Sequence, residues 1–409
     1  MTTSSRPTTL PYSPASTTSG GSAPLWGTVL EHLDIAPSLY EKAANRHKTL
    51  GEWLCRPESV LARYKPEVRP QGSFRYGTVI KPLTATAAYD VDQVVVLTAL
   101  RTGQISQAEL RAMFRAELEG YRRAYQIQDP VEDKHRCCCL NYQDEVTFHL
   151  DSLPCVPASP EFMARLERQG IDATWAGRAV AITDDRRPDY QLVGATWLTR
   201  KPSGFARWFQ QRAALGLSTA VRRSMEASVE PLPAYRWTTP LQSVIKLLKR
   251  HRDIMFLKSP GLAPISMIIT NLAAHAYQGE QDIGRALEGI VERMPSYVRA
   301  ERPRVPNPSH PDEDYADKWQ QKPALEENLY RWIEQARADV RFFTGRDWEP
   351  EQLTRRFDVR LTEAEVRKLA PNTPRAVQAP AVITSVQAPR IESGPRPWAA
   401  RPQHGSATE

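Results

Sequence analysis

QGSFRYGTVIKPL at residues 71–83, followed by YDVDQVVVL at 89–97, carries the densest structural information in this chain of 409 residues. Asp90 and Asp92 stand two apart, and the succession of valines at 94–96 with Leu97 predicts a strand that continues into the core. A period of two puts both carboxylates on one face of that strand. Two ionised carboxylates at the start of a buried strand are costly unless a cation neutralises them. Mg²⁺, which takes a few carboxylate oxygens together with phosphate oxygens and water, suits such a pair, with Mn²⁺ as a substitute. An Asp-x-Asp pair is a weak motif by itself, since strand starts and turns carry aspartate pairs routinely. The preceding Gln71, Gly72 and Ser73 add weight. Glycine lets a backbone approach a phosphate closely, and Ser73 offers a hydroxyl and an amide at a helix start. The plainer alternative is an ordinary turn with a serine N-cap.

Working outward, VTFHLDSLP at 146–154 alternates Val146, Phe148 and Leu150 against Thr147, His149 and Asp151. It follows CCCLNY at 137–142 across Gln143, Asp144 and Glu145, a spacing that predicts a hairpin. Asp151 opposite an apolar face can simply point at solvent. If its strand lies beside that of Asp90, three carboxylates converge, and a pair of ions roughly 3.5–4 Å apart can be held between them. One ion would then activate an acceptor ribose hydroxyl, with Asp151 as ligand or proton acceptor, and the other would grip a triphosphate and its departing pyrophosphate.

Composition divides the rest. Residues 1–24 are a Ser/Thr/Pro/Gly-rich arm, without the apolar core of a secretory signal. Residues 25–235 hold an N-terminal helical region (26–64) and a β-rich core, interrupted by the amphipathic helix SQAELRAMFRAELEGYRRAY at 106–125 with Ser106 and Glu109 spaced as a capping box. Residues 236–369 read as a helical domain, and 370–409 as a tail with too little apolar material to pack. The fold class expected is α+β, a mixed sheet carrying the aspartates, packed on a C-terminal helical domain. Lys and Arg number 54 against 47 Asp and Glu, a net charge of +7 that suits a phosphate-bearing partner. Five cysteines, an odd number with three adjacent, speak against a disulfide framework and for a reducing cytoplasm. No apolar run approaches a bilayer's thickness.

Gly72 and Ser73, then Asp90 and Asp92, then Asp151 on a later strand resemble the polymerase-β-type nucleotidyltransferase superfamily. The longer string QGSFRYGTVIKP…YDVDQVV is similar to the bacterial cGAS/DncV-like nucleotidyltransferases, over residues 40–345. That resemblance implies a polymerase-β-like catalytic core and Mg²⁺ or Mn²⁺. It also implies conversion of ribonucleoside triphosphates, ATP and GTP first and pyrimidines after them, into a cyclic di- or oligonucleotide messenger sensed by a downstream effector in anti-phage defence. Gln71 enters the nucleotide site by the same resemblance. So do Lys249, in PLQSVIKLLKRHRDIMF at 240–256, and Ser266, in APISMIITNLAAHAY, as triphosphate contacts. Read from periodicity alone, Lys246, Lys249, Arg250 and Asp253 form a solvated charged face, and Ser266 is a helix residue bonding its own backbone. A tail-binding or regulatory protein is a further implied partner.

Other signals are assigned no chemistry. His135 with Cys137, Cys138 and Cys139 suggests zinc, but consecutive strand residues face alternately, so three adjacent thiols do not converge on one ion. Tyr76, Trp197, Trp208, Phe209 and Tyr277 are expected mainly in the core. In RPRVPNPSHPDEDYADKW at 302–319, Asp314 or Asp317 is expected to cap a helix, and Asp312, Glu313 and Asp314 to form a solvated loop. Two rivals to the cyclic-oligonucleotide synthase remain: nucleotidyl transfer to RNA, protein or a small molecule, and a non-catalytic sensor on the same fold.

Overall fold

The computed structural model describes residues 22–84, 87–143, 147–170, 178–216, 238–345 and 348–369. The tail from residue 370, most of the arm, Val146, and parts of the stretch at 158–235 lie outside the described residues.

The chain enters through α1 (Ala23–Leu33) and α2 (Pro37–Cys55). Pro37 opens α2, where its missing N–H costs nothing, and Tyr40, Ala43, Leu50 and Leu54 line its buried face. Next come β1 (Pro66–Gln71), the single-turn α3 (Gly72–Tyr76) and β2 (Tyr89–Leu97). The expected helix α4 (Gln107–Ala124) follows, and both bonds of its capping box form: Ser106 Oγ accepts from Glu109 N at 3.2 Å, and Glu109 Oε2 accepts from Ser106 N at 2.9 Å. The short β3 (Glu132–Asp133) leads into the hairpin of β4 (Cys138–Gln143) and β5 (Thr147–Pro157).

The sheet is mixed, in the order β1-β2-β5-β4-β3. Its centre is the parallel pair β2 and β5, flanked by antiparallel partners on both sides. Beyond β5 and α5 (Pro160–Arg168), β6 (Val180–Ile182) continues the sheet along the far end of β5, and β7 (Leu198–Arg200) pairs with β6. One face buries Val91, Val95, Phe148 and Leu150 against α2 and α4. The other buries Val94, Val96 and Cys155 against Val180 and Ile182. The valine run is therefore apolar on both sides, as a central strand requires.

Helices form the second large core: α6 (Pro202–Ala213), α7 (Pro240–Met255), α8 (Ser266–Ala276), α9 (Ile283–Arg293), α10 (Ala324–Thr344), α11 (Pro350–Phe357) and α12 (Glu363–Leu369). Trp26 of α1 is fully buried there, edge-on to Phe343 and Phe357. No helix among the described residues is long and apolar enough to cross a membrane.

The Pro-rich stretch at 302–319 departs from expectation. It folds as a hairpin of β8 (Pro306–Asn307) and β9 (His310–Asp314) rather than as a capped helix entry. Asp314 accepts from the backbone N–H groups of Arg304, Val305 and Ala316, so its side chain closes a turn. Asp317 begins a short 3₁₀ turn whose cap is Ala316. Glu313 is buried rather than solvated, held by Asn307 at 2.9 Å and Arg200 at 3.1 Å. A buried carboxylate needs such partners.

Candidate active site

Asp92 and Asp151 are direct register partners in the parallel β2–β5 pair, and Asp90 pairs with His149 one step earlier. Paired residues of neighbouring strands share a sheet face, so the register sets Asp90, Asp92 and Asp151 on one side. Gln71, the last residue of β1, pairs with Asp92 from the opposite neighbour. Gly72 then turns the chain into α3 with φ +63°, the left-handed region that favours glycine. A Cβ on Gly72 would lie 1.9 Å from Asp92 Oδ2, so its backbone rests directly against that carboxylate. Ser73 is the second residue of α3 and is half-buried.

Each carboxylate has a different electrostatic environment. Asp90 is exposed, with His149 Nδ1 at 3.2 Å from its Oδ1. Asp151 is gripped by Lys134, whose Nζ lies 2.8 Å from Oδ1 and 2.9 Å from Oδ2. Asp92 sits between them: burial, then the Asp151 charge, then the Asp90 charge push its carboxyl up to about 7. The donor set is hard carboxylate oxygen on one sheet face, which is the chemistry that admits divalent cations such as Mg²⁺. The three aspartates are not drawn into mutual contact. Among the described residues, the group of three His, Cys, Asp or Glu with ligand atoms within 4.8 Å of one another is His135, Asp184 and Asp185, a second acidic set able to hold a metal ion. Its carboxylates are already engaged: His135 lies 3.1 Å from Asp184 and 2.6 Å from Asp185, and Arg136 lies 3.1 Å from Asp184.

Helix α7 brings Lys249 to the site by a route that periodicity concealed. Residues 241–251 are buried without a break, so the charged face is not solvated. Lys249 Nζ donates to Thr78 O at 2.9 Å, Arg250 donates to Lys81 O, and Lys246 pairs with Asp34 at 2.6 Å. Gln242, whose carbonyl completes the α7 capping box, gives its amide to Tyr76 O at 2.8 Å. Four side chains of one helix thus reach the segment behind the Gly-Ser turn or its neighbour α1. Burial, and then Arg252, lower the Lys249 ammonium to about 8. Ser266 opens α8, and its hydroxyl accepts from Arg252 Nη2 at 3.2 Å instead of bonding its own helix. The strand register therefore sets Gln71, Asp90, Asp92 and Asp151 on one sheet face with Gly72 against Asp92, brings Lys249 within electrostatic reach of Asp92, and leaves Ser266 on Arg252.

The thiols behave as alternation requires. Cys138 enters the helix-side core, while Cys139 pairs with Asp151 on the carboxylate face. Burial pushes Cys137 and Cys138 up to about 12, so they remain protonated thiols. Tyr76, Trp197, Phe209 and Tyr277 are buried; Trp208 is half-buried and lines an open hollow of ≈ 470 Å³ with His275 and Tyr297. Lys134 and Gln93 were not foreseen. Gln93 faces away from the carboxylates and bridges His47 at 2.7 Å to Ser152 at 2.8 Å, tying β2 to β5 one residue beyond the Asp92–Asp151 pair. A polar residue inside the valine run was the available signal.

Residues 66–155 match the family described as "Cyclic GMP-AMP synthase DncV-like, nucleotidyltransferase domain". The chain is 28% identical over 310 residues to a c-di-GMP synthase of Roseivirga ehrenbergii, covering 74% of each protein. It is 24% identical over 316 residues to the cyclic dinucleotide synthase CdnG of Bradyrhizobium diazoefficiens, covering 70% of this chain and 68% of that one. The solved CdnG structure, a complex with GTP, superposes with a TM-score of 0.59 at 20% identity, over 81% of this chain and 94% of that one. Escherichia coli MS115-1 CdnC, solved with HORMA-deltaN, superposes with a TM-score of 0.54 at 12% identity, over 82% and 96%.

Proposed function

We propose that this chain, which belongs to the cGAS/DncV-like nucleotidyltransferases and has their polymerase-β-like fold, joins ribonucleoside triphosphates into a cyclic di- or oligonucleotide and releases pyrophosphate. The observation that carries this assignment is the strand register that sets Asp92 beside Asp151 while the Gly72 backbone rests on the Asp92 carboxylate. Asp90, Asp92 and Asp151 would hold Mg²⁺, or Mn²⁺ in its place, which supplies the charge that acidifies an acceptor ribose hydroxyl and offsets that of a triphosphate. The chain's own groups do the positioning. Gly72 keeps side-chain bulk away from the Asp92 carboxylate. Gln71 and Ser73 flank it with polar groups. Lys249 contributes an ammonium from α7 to the donor phosphates. Asp151 serves the acceptor side.

The names of the relatives make GTP the first substrate to test, with ATP and then the pyrimidine triphosphates after it. A product sensed by a downstream effector, within a cytoplasmic anti-phage response, fits a soluble messenger. The HORMA complex of CdnC supports a search for a regulatory protein. The deciding experiment incubates the purified protein with all four ribonucleoside triphosphates and Mg²⁺. A small, phosphatase-resistant product with matching pyrophosphate release is expected, because ring closure leaves no terminal phosphate. Label appearing only on added RNA or protein would replace this assignment with the transferase rival. Triphosphate binding without any turnover, whatever the metal, would favour the sensor.

Lys249 admits a narrower test. Lys249→Met keeps the stem and removes the charge, and is expected to raise the apparent KM for triphosphate about tenfold with a smaller change in kcat, as for a contact present in both ground and transition states. In the parent, kcat/KM should lose this advantage as pH rises through about 8, where Lys249 gives up its proton. An unchanged KM would remove Lys249 from the site.

A further inference from the structure

Lys134 belongs to a tight turn between β3 and β4, closed by its own N–H on Cys137 O at 2.9 Å. That turn is fixed from two directions. Arg111 of α4, almost fully buried, donates to the carbonyls of Lys134, His135 and Cys137. From the loop after β6, Asp184 and Asp185 hold His135, Asp184 holds Arg136, and Thr183 donates to Arg136 O at 3.3 Å. With the backbone clamped in this way, the Lys134 side chain reaches over the sheet and places its ammonium on both oxygens of Asp151. A long lysine side chain loses rotamer freedom to hold one geometry, and a preorganised base reduces that loss.

The two contacts have a consequence for any ion that needs Asp151. An ammonium that engages both carboxylate oxygens takes up lone pairs an ion would use, and its charge repels a second cation nearby. We propose that Lys134 is a positioning residue that competes with the divalent cation for Asp151, so that the carboxylate site loads weakly until the lysine is drawn away; this rests on the three-aspartate assignment made above. The nucleotide-free protein thereby pairs one of the three carboxylates with a group of its own. A triphosphate entering the site offers the ammonium an alternative partner, which couples ion loading to substrate.

Mn²⁺ binding to the full-length, nucleotide-free protein, followed by the electron paramagnetic resonance signal of free Mn²⁺, tests the competition. Lys134→Met and Lys134→Gln are both expected to bind Mn²⁺ about tenfold more tightly than the parent, in line with the effect of one close charge on a carboxylate. Lys134→Arg keeps the charge and should stay near the parent. Asp151→Asn should bind more weakly, and adding Lys134→Met to it should recover less than the tenfold gained in the parent, because the contested group is gone and only the charge effect at Asp92 remains. Unchanged or weaker Mn²⁺ binding in both neutral variants, with Asp151→Asn still weakened, would overturn the role of Lys134 and leave the site assignment standing. Parent-like binding by Asp151→Asn would overturn both.

Discussion

Asp92→Asn is expected to abolish nucleotidyl transfer and, in the absence of metal, to make the protein more stable at pH 8. Both effects come from one carboxylate. In the proposed reaction Asp92 would be the central member of the three-aspartate set, and its loss should cost kcat at least about a thousandfold, equivalent to about 4 kcal/mol of transition-state stabilisation. For stability the sign follows from proton counting. The folded carboxyl titrates at about 7, raised by burial and by Asp151 and Asp90, while an unfolded aspartate titrates near 3.8. Between those values the native chain holds a proton that the unfolded chain has released. Stability of the parent therefore falls as pH climbs from about 4 to about 7 and stays low above it, by on the order of 4 kcal/mol when complete. Asparagine has no proton to lose. Its advantage over the parent should be near zero at pH 4 and largest at pH 8, and saturating Mg²⁺ should shrink it by stabilising the parent. Urea unfolding at the two pH values reads the difference directly. Equal stability at pH 8 would mean that Asp92 is not held under charge strain, and retained turnover would remove it from the reaction.

Gly72→Ala should be nearly as damaging, for steric reasons. The position has φ +63°, where a Cβ costs about 1 kcal/mol in backbone conformation alone. The added carbon would also lie 1.9 Å from Asp92 Oδ2, 2.8 Å from its Cγ and 3.1 Å from its Cβ. Three successive atoms of the carboxylate side chain block it, so no small rotation clears the clash. Either Asp92 leaves its position beside Asp151 or α3 moves away from it. A displacement of about 1 Å at a reacting centre costs on the order of a hundredfold in rate, and that is the minimum loss expected. Stability should fall by a much smaller proportion, since the site is polar and lies at the sheet's edge of the core. The decisive comparison is kcat against Tm: a variant that melts like the parent and turns over like it would show that Gly72 does not set the position of Asp92.

Much of this was legible in sequence where local rules and tertiary structure agree. The two-residue spacing of Asp90 and Asp92, the alternation in β5, and the cap of α4 are local properties, and each appears as read. The α7 surface was not legible. Lys246, Lys249 and Arg250 look like a solvated face because sequence does not reveal that Asp34 and the carbonyls of Thr78 and Lys81 lie opposite them. Asp314 failed for a related reason: an aspartate after a proline-rich run caps helices readily, but the backbone amides nearest to it here belong to a hairpin. Lys134 sits in an ordinary polar turn, VEDKHRC, and only strand pairing places it over a carboxylate seventeen residues away.

The grip of α7 on the backbone behind the Gly-Ser turn also bears on how the protein is made. Once β5 has left the ribosome, all three aspartates are present and the parallel strand pair that aligns them can form. The carbonyls of Tyr76, Thr78 and Lys81 still lack Gln242, Lys249 and Arg250, which emerge from the ribosome much later. A half-made chain can therefore assemble its acidic cluster while lacking the cationic wall behind it. The contacts that hold the segment behind the Gly-Ser turn therefore arrive late in translation, after every residue of the parallel strand pair has been made.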